Sequence, residues 1–288
     1  MQKITLICGP TASGKTAAAI ELAQEIDAEI ISADSGQIYR GLDIGTAKPS
    51  LEEQERVRFH LIDVVNPDQL FSAAEFAERA GQAIQEIQSR GKKVLIVGGT
   101  GLYLKALEYG LFEGPSRDPQ IRQELEDQIN DRGVISLHQD LLKVDPEAAS
   151  QIPSTNRHRL IRALEVYRIT GQPISELWKK HSKGQSPFSF EKIGINPPKE
   201  ILHQRIDERV ERMIQKGLLK EVEGLLEKWG ACAPGLKIIG YKEMIAHLHD
   251  QILRDEAIEL IKVHTRQYAK RQMTWFKKDS EIRWEKSF

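Results

Sequence analysis

Cysteine is nearly absent from this chain, with Cys8 and Cys232 the only two. Neither falls in a C-x-x-C or metal-ligand spacing, so the sequence offers no disulfide scaffold, and a reduced cytoplasm is the expected compartment. Long apolar runs are lacking too. No stretch approaches the roughly 20 residues that cross a bilayer. A strand-like segment begins at Lys3, so no signal peptide is expected ahead of it. The eight histidines show no ligand spacing, and there is no internal repeat and no low-complexity tail.

What remains is an ordinary globular composition, 40% hydrophobic and 29% charged over 288 residues, enough for one large domain or a domain with an insertion. The net charge of −1 conceals an uneven distribution. Between Ala257 and Lys278, six cations (Lys262, Arg266, Lys270, Arg271, Lys277 and Lys278) face the single acid Glu259. Arg157, Arg159, Arg162 and Arg168 form a second basic cluster against Glu165. Such clusters are the footprint of a polyanionic partner.

The first ~110 residues alternate strand and helix. Ile4 to Cys8 is a short apolar run, Glu29 to Ala33 reads as a second strand, and Val94 to Val97 is a fully apolar strand, as expected in a parallel sheet covered on both faces. Ser72 to Glu75 reads as a capping box opening a helix that Gly91 stops. From about Ser116 to Lys183 the pattern turns helical and charged. A Ser, Gly and Pro-rich loop (Ser182 to Ser189) then leads into a strand at Lys192 to Ile195. After Pro198 comes a helix with Leu202, Ile206, Val210, Met213 and Ile214 inward, and a last helix runs from about Glu256 to Lys277. The fold expected is α/β, a P-loop NTPase-like doubly wound parallel sheet built from residues 1–115 and 190–288, interrupted by a helical insertion at 116–189.

Gly9-Pro10-Thr11-Ala12-Ser13-Gly14-Lys15-Thr16 matches G-x-x-x-x-G-K-[ST] between a strand and a helix, the context this motif requires. Its glycines let backbone N–H groups wrap a phosphate, and the helix N-terminus adds partial positive charge. Lys15 places a full charge on the phosphates, and Thr16 offers a hydroxyl to Mg²⁺. The loop alone fits a nucleotide hydrolase, a small-molecule kinase, or an enzyme whose leaving group is diphosphate. No carboxylate closes the Val94–Val97 strand, which runs into Gly98-Gly99-Thr100-Gly101. That weakens the ATPase reading.

Asp34 ends the second strand, where open α/β sheets form their ligand crevice. The stretch Ser32-Ala33-Asp34-Ser35-Gly36-Gln37-Ile38-Tyr39, with Asp43 to Pro49 and Gly98 to Tyr103, resembles the tRNA dimethylallyltransferases. His158-Arg159-Leu160-Ile161-Arg162-Ala163-Leu164-Glu165-Val166, Ile239-Gly240-Tyr241-Lys242 and Arg266 to Gln272 agree with the same family, in order along nearly the whole chain. The form resembled is the short bacterial one, without a C-terminal zinc finger.

The resemblance implies transfer of a dimethylallyl group from its diphosphate to N6 of adenosine 37, beside the anticodon, in tRNAs reading codons that begin with U. It implies Asp34 as general base, Thr100 near the amine and diphosphate, and Arg209 neutralising the departing diphosphate. The P-loop (Gly9, Pro10, Thr11, Ala12, Ser13, Gly14, Lys15 and Thr16) then holds diphosphate, with Mg²⁺ at Thr16. tRNA contacts are expected from Asp34, Ser35, Gly36, Gln37, His158, Arg159, Leu160, Ile161, Arg162, Gly240, Tyr241, Lys242, Arg266, Lys270 and Arg271. No protein partner and no membrane are implied. Gly36 departs from a bulkier family residue and is expected to leave more room beside the target base or to loosen the loop. Tyr268, Trp275 and Phe276 read as core or helix-packing residues. Two other readings stay open from the residues themselves: a P-loop kinase of a small metabolite, with Asp34 activating a hydroxyl, and a nucleotide-gated RNA-binding protein.

Overall fold

The computed structural model describes residues 3–111, 114–180 and 186–285. Part of the loop expected over Ser182–Ser189 lies outside them. The chain folds as two compact units, one made of residues 1–108 with 186–288 and the other of residues 109–185.

The first unit opens with β1 (Ile4–Cys8), α1 (Lys15–Ile26), β2 (Ala28–Ala33), α2 (Leu51–Arg56), β3 (Phe59–His60), α3 (Ala73–Ser89), β4 (Lys93–Gly98) and α4 (Gly101–Tyr109). The second unit holds α5 (Pro119–Arg132), α6 (Val134–Val144), α7 (Pro146–Gln151), α8 (Arg157–Thr170) and α9 (Ile174–Lys180). The chain then returns to the first unit with β5 (Phe190–Ile195), α10 (Lys199–Gln215), α11 (Leu218–Trp229), α12 (Tyr241–Leu248), α13 (Arg254–Phe276) and β6 (Arg283–Glu285). Among the described residues no helix is long and apolar enough to cross a membrane.

The strands pair in the order β3-β2-β4-β1-β5-β6, every pair parallel. Ile7, Ile30 and Leu95 are buried with Ala19, Ile20 and Ala23 of α1 in one apolar cluster, and β4 reads as an unbroken apolar run from Val94 to Val97 because it is buried in the middle of the sheet. The register matters for function. Ala33 pairs with Gly98, and Gly98 with Cys8. The next residues along the chain, Asp34, Gly99 and Gly9, therefore emerge side by side at the carboxyl edge of the sheet.

The short edge strands β3 and β6 carry no alternating or apolar signature in the sequence. Ser72 caps α3 through its hydroxyl, which accepts from the Glu75 N–H at 3.1 Å, but the Glu75 carboxylate turns to Arg79 instead of closing the box. A complete capping box does occur one helix earlier, at Ser50 and Glu53. α10 buries Leu202, Ile206, Val210 and Met213 as their spacing indicates.

The helical unit has its own core, with Leu125, Leu137, Leu141, Leu160, Ala163 and Val166 buried. Beside it the fully buried Glu165 carboxylate meets the Arg122 guanidinium in two bonds (2.6 and 2.9 Å), Arg162 Nη1 (2.7 Å) and the Asp118 N–H (3.0 Å). Burial alone would raise its pKa, but the hydrogen bonds from Arg122 and Arg162 outweigh that and hold it at about 2.

Candidate active site

The P-loop leaves β1 at Gly9 and enters α1 at Lys15. Its turn requires left-handed backbone at Ala12 (φ 62°) and Gly14 (φ 96°), and the second of these is where a glycine costs least. The Lys15 side chain is buried, and its ammonium donates to the Pro10 carbonyl at 3.2 Å. Burial lowers its pKa to about 8, against the opposing pull of Asp34. Ser13 Oγ is buried without a protein partner, a free hydroxyl inside a phosphate-shaped loop.

A cleft enclosing about 430 Å³ of solvent-open space joins Lys15 and Thr16 to Asp34, Gln37, Thr46 and Arg209. Asp34 Oδ1 accepts from the Gly36 N–H at 2.9 Å. It is both a turn-forming carboxylate and one that faces the P-loop. Thr100 closes the same corner: its Oγ1 accepts from the Ser35 N–H at 3.0 Å, and its own N–H donates to the Ala33 carbonyl at 3.2 Å.

Arg209 is the residue whose placement is least legible in the sequence. It lies among Arg205 and Arg212 on α10, a pattern that a solvated face would also give. Arg212 does meet Glu208 one turn away, at 3.8 Å. Arg209 instead turns inward, donating to Thr11 Oγ1 and to the Thr46 carbonyl, each at 3.1 Å. Burial lowers its pKa, with Asp34 acting against that shift. One turn before it, Arg205 donates to the Ser13 carbonyl at 3.1 Å. An i, i+4 arginine pair therefore seats α10 on the P-loop, and that spacing is the available signal.

Several expected tRNA contacts need correction. Leu160 and Ile161 are buried in the helical unit's core, and Tyr241 is buried with its hydroxyl on Glu221 at 2.5 Å. Glu221 also accepts from the N–H groups of Asp43, Ile44 and Gly45, so Tyr241 helps hold the loop that supplies Thr46. Gly240 is buried at the start of α12, with φ 98° and its N–H on Glu243. Gln37 is buried, accepting from Ser32 Oγ at 2.9 Å. The room expected at Gly36 is not there, because a Cβ would lie 3.0 Å from Thr46 Cγ2.

The basic clusters are also thinner than their sequence implies. Arg157 pairs with Glu126, Arg168 with Glu124, Arg162 with Glu165 and the Pro115 carbonyl, Lys262 with Glu211 and Glu259, and Arg266 with Asp207. Lys242 is exposed but lies 3.6 Å from the Glu243 carboxylate, whereas His158 and Lys270 remain exposed, as does Arg271, which lies over the Tyr268 ring at 5.8 Å. Arg159 is exposed with its guanidinium 6.0 Å from the Trp178 ring centre.

Tyr268, a packing residue by its sequence context, has a hydroxyl that reaches Thr100 and Gln272. Burial, then the nearby Asp34 carboxylate, pushes its pKa up to about 12. Trp275 is 44% exposed, whereas Phe276 is buried as expected.

Comparison with known proteins accords with this geometry. The family model for IPP transferase matches residues 37–279. The tRNA dimethylallyltransferase of Geobacter metallireducens is 50% identical over 283 residues, covering 98% of this chain and 92% of its own. That of Carboxydothermus hydrogenoformans is 45% identical over 284 residues, covering 98% and 91%. Among solved structures, the tRNA isopentenylpyrophosphate transferase of Bacillus halodurans superposes with a TM-score of 0.73 at 40% identity, covering 99% of this chain and 90% of that one. A eukaryotic dimethylallyltransferase acting on tRNA superposes at 0.80 with 30% identity, covering 96% and 70%. With a matching family model across most of its length and relatives at this identity, the chain belongs to the IPP transferase family.

Proposed function

We propose that this protein transfers the dimethylallyl group of dimethylallyl diphosphate to N6 of adenosine 37 in tRNAs reading codons that begin with U. The observation that carries the reading is a carboxylate, Asp34, sharing one cleft with a P-loop lysine and an inward arginine. The adenine amine is a poor nucleophile because its lone pair is delocalised into the ring. Asp34 accepts its proton as the N6–C bond forms. The C–O bond to diphosphate breaks in the same step, and the leaving group departs with the electron pair toward Lys15 and Arg209. Ile30, Phe59 and Val97 also line the cleft, and they give a five-carbon chain an apolar wall.

Thr16 lines the cleft beside Lys15, and with the unpartnered Ser13 hydroxyl the loop suits a diphosphate with Mg²⁺ held at Thr16. Bound there, the ion would neutralise charge on the departing diphosphate. Among the described residues no cluster of His, Cys, Asp and Glu forms a separate metal site. A kinase reading finds no support in the site, since β4 ends in glycine without a carboxylate and the family is one of prenyl transfer.

The test is unmodified tRNA incubated with dimethylallyl diphosphate or with ATP, followed by nuclease digestion. N6-(dimethylallyl)adenosine is expected from the first mixture alone. Phosphorylated product, or none, would overturn the proposal. In the same assay Asp34→Asn should lower the single-turnover rate by roughly 10²- to 10⁴-fold while tRNA still binds, and a rate near wild type would remove Asp34 from the mechanism.

A further inference from the structure

α13 turns two side chains one helical turn apart, Tyr268 and Gln272, toward the P-loop and the Thr100 corner. Gln272 is 6% exposed, and both ends of its amide are engaged. Oε1 accepts from the Thr11 N–H at 2.8 Å, and Nε2 donates to the Gly99 carbonyl at 2.9 Å. An amide offers donors at one end and an acceptor at the other, so a single orientation satisfies both. The approach is tight: a Cβ on Gly99 would lie 2.2 Å from Nε2.

Thr11 is therefore held twice, by Gln272 at its N–H and by Arg209 at its hydroxyl. On the other side, Gly99 precedes Thr100, whose hydroxyl accepts from the Ser35 N–H beside Asp34. One buried amide thus spans the loop that holds the phosphates and the turn that supports the general base. A P-loop N–H pointed at phosphate would have no reason to be bonded to a side chain on a helix more than 250 residues later, and this one is, at a sequence separation of 261.

We propose that Gln272 is a positioning residue for prenyl transfer, setting the diphosphate cradle in register with the Asp34–Thr100 corner, and that the Thr11 N–H is structural and no part of the cradle. This rests on the function proposed above. Displacing Thr11 moves the partner of Arg209, and displacing Gly99 moves Thr100, so donor binding and the chemical step depend on Gln272 together. tRNA binding does not, because Lys270 and Arg271 are exposed on α13 while Gln272 is buried.

Amide hydrogen exchange on the wild-type protein tests the first half. The Thr11 N–H should be protected without ligand and unchanged by inorganic pyrophosphate, while Gly14 and Lys15 gain protection. A Thr11 N–H that exchanges freely and becomes protected only with pyrophosphate overturns the assignment. Gln272→Met, of similar volume without hydrogen bonds, tests the second. We expect about a tenfold weaker pyrophosphate Kd, a raised KM for dimethylallyl diphosphate, a slower single turnover and unchanged tRNA affinity. Wild-type donor affinity overturns the proposal, and so does a rate loss that only follows a smaller folded fraction. Should the wild-type protein not prenylate tRNA at all, the functional reading fails, while the exchange and pyrophosphate measurements still decide the placement of Gln272.

Discussion

Arg209 reaches the Thr11 hydroxyl and the Thr46 carbonyl with separate nitrogens of one guanidinium, 3.1 Å to each. A planar fork is suited to such a span in a way that a single ammonium is not. Arg209→Ala should cut single-turnover prenyl transfer by about 10²-fold or more, the scale of losing one donor to developing negative charge. Arg209→Lys should recover a minor part of that loss. Full recovery by lysine would show that charge alone matters and the two-loop clasp does not.

Lys15 carries a pH prediction with a defined sign. Its pKa is lowered to about 8 by burial, and a bound diphosphate favours the charged form. Above pH 8 binding must therefore take up a proton, so donor affinity falls as pH rises through about 8. Below that value it is flat on account of this group. Titration calorimetry of dimethylallyl diphosphate between pH 7 and pH 9.5, without tRNA, should show the decline in wild type and its absence in Lys15→Met. An identical slope in both would assign the titration elsewhere.

Charges that are free should behave differently from charges that are paired. Lys270 and Arg271 are exposed and make no ion pair among the described residues. Lys270→Ala should weaken tRNA binding and reduce the salt slope by about 0.7 to 0.9 log units per log unit of salt. Arg162→Ala, which strips a partner from the buried Glu165, should instead destabilise the helical unit with a smaller change in that slope. Filter binding over a salt series, with melting curves on both variants, separates the two.

Glu165 also sets an acid limit. Its pKa falls from the ordinary 4.5 to about 2 on folding, so its contribution to stability is complete above pH 4.5 and is lost as pH drops from there toward 2. Linkage over that interval amounts to roughly 3 kcal/mol. Glu165→Gln should remove this component, leaving the acid-induced loss of α-helical signal shallower across the interval than in wild type. Parallel profiles would place the sensitivity on other carboxylates.

The sequence carries the parts of this molecule that depend on local chemistry. The P-loop, the apolar central strands, and Asp34 at a strand end each announce themselves through residues adjacent in the chain. Partner choice is tertiary and stays hidden. Nothing near Arg157 indicates Glu126 as its partner, and nothing near Arg266 indicates Asp207, so paired cations look like free ones. Motif membership misleads in another way. Leu160, Ile161 and Tyr241 recur in recognisable blocks because the blocks need a core as well as a surface. Gln272 escapes notice because a polar side chain on a strongly basic helix resembles its wet face, although its i, i+4 spacing from Tyr268, a packing residue by context, marks a shared direction.

The sheet's two margins have a consequence for how the protein behaves in a crowded solution. A long exposed margin strand is a template on which a second polypeptide pairs, and the result is aggregation. Here one margin, β3, is two residues long, and the other, β6, spans three residues and bears Arg283 and Glu285. The four longer strands lie between them, each bonded on both sides. Among the described residues, neither border offers a stranger's backbone more than a few hydrogen bonds. During synthesis, however, β5 and β6 follow the other four strands, and until they emerge β1 stands uncovered on one side. Until residue 190 and those after it emerge, that side of β1 has no native partner to close it against mispairing.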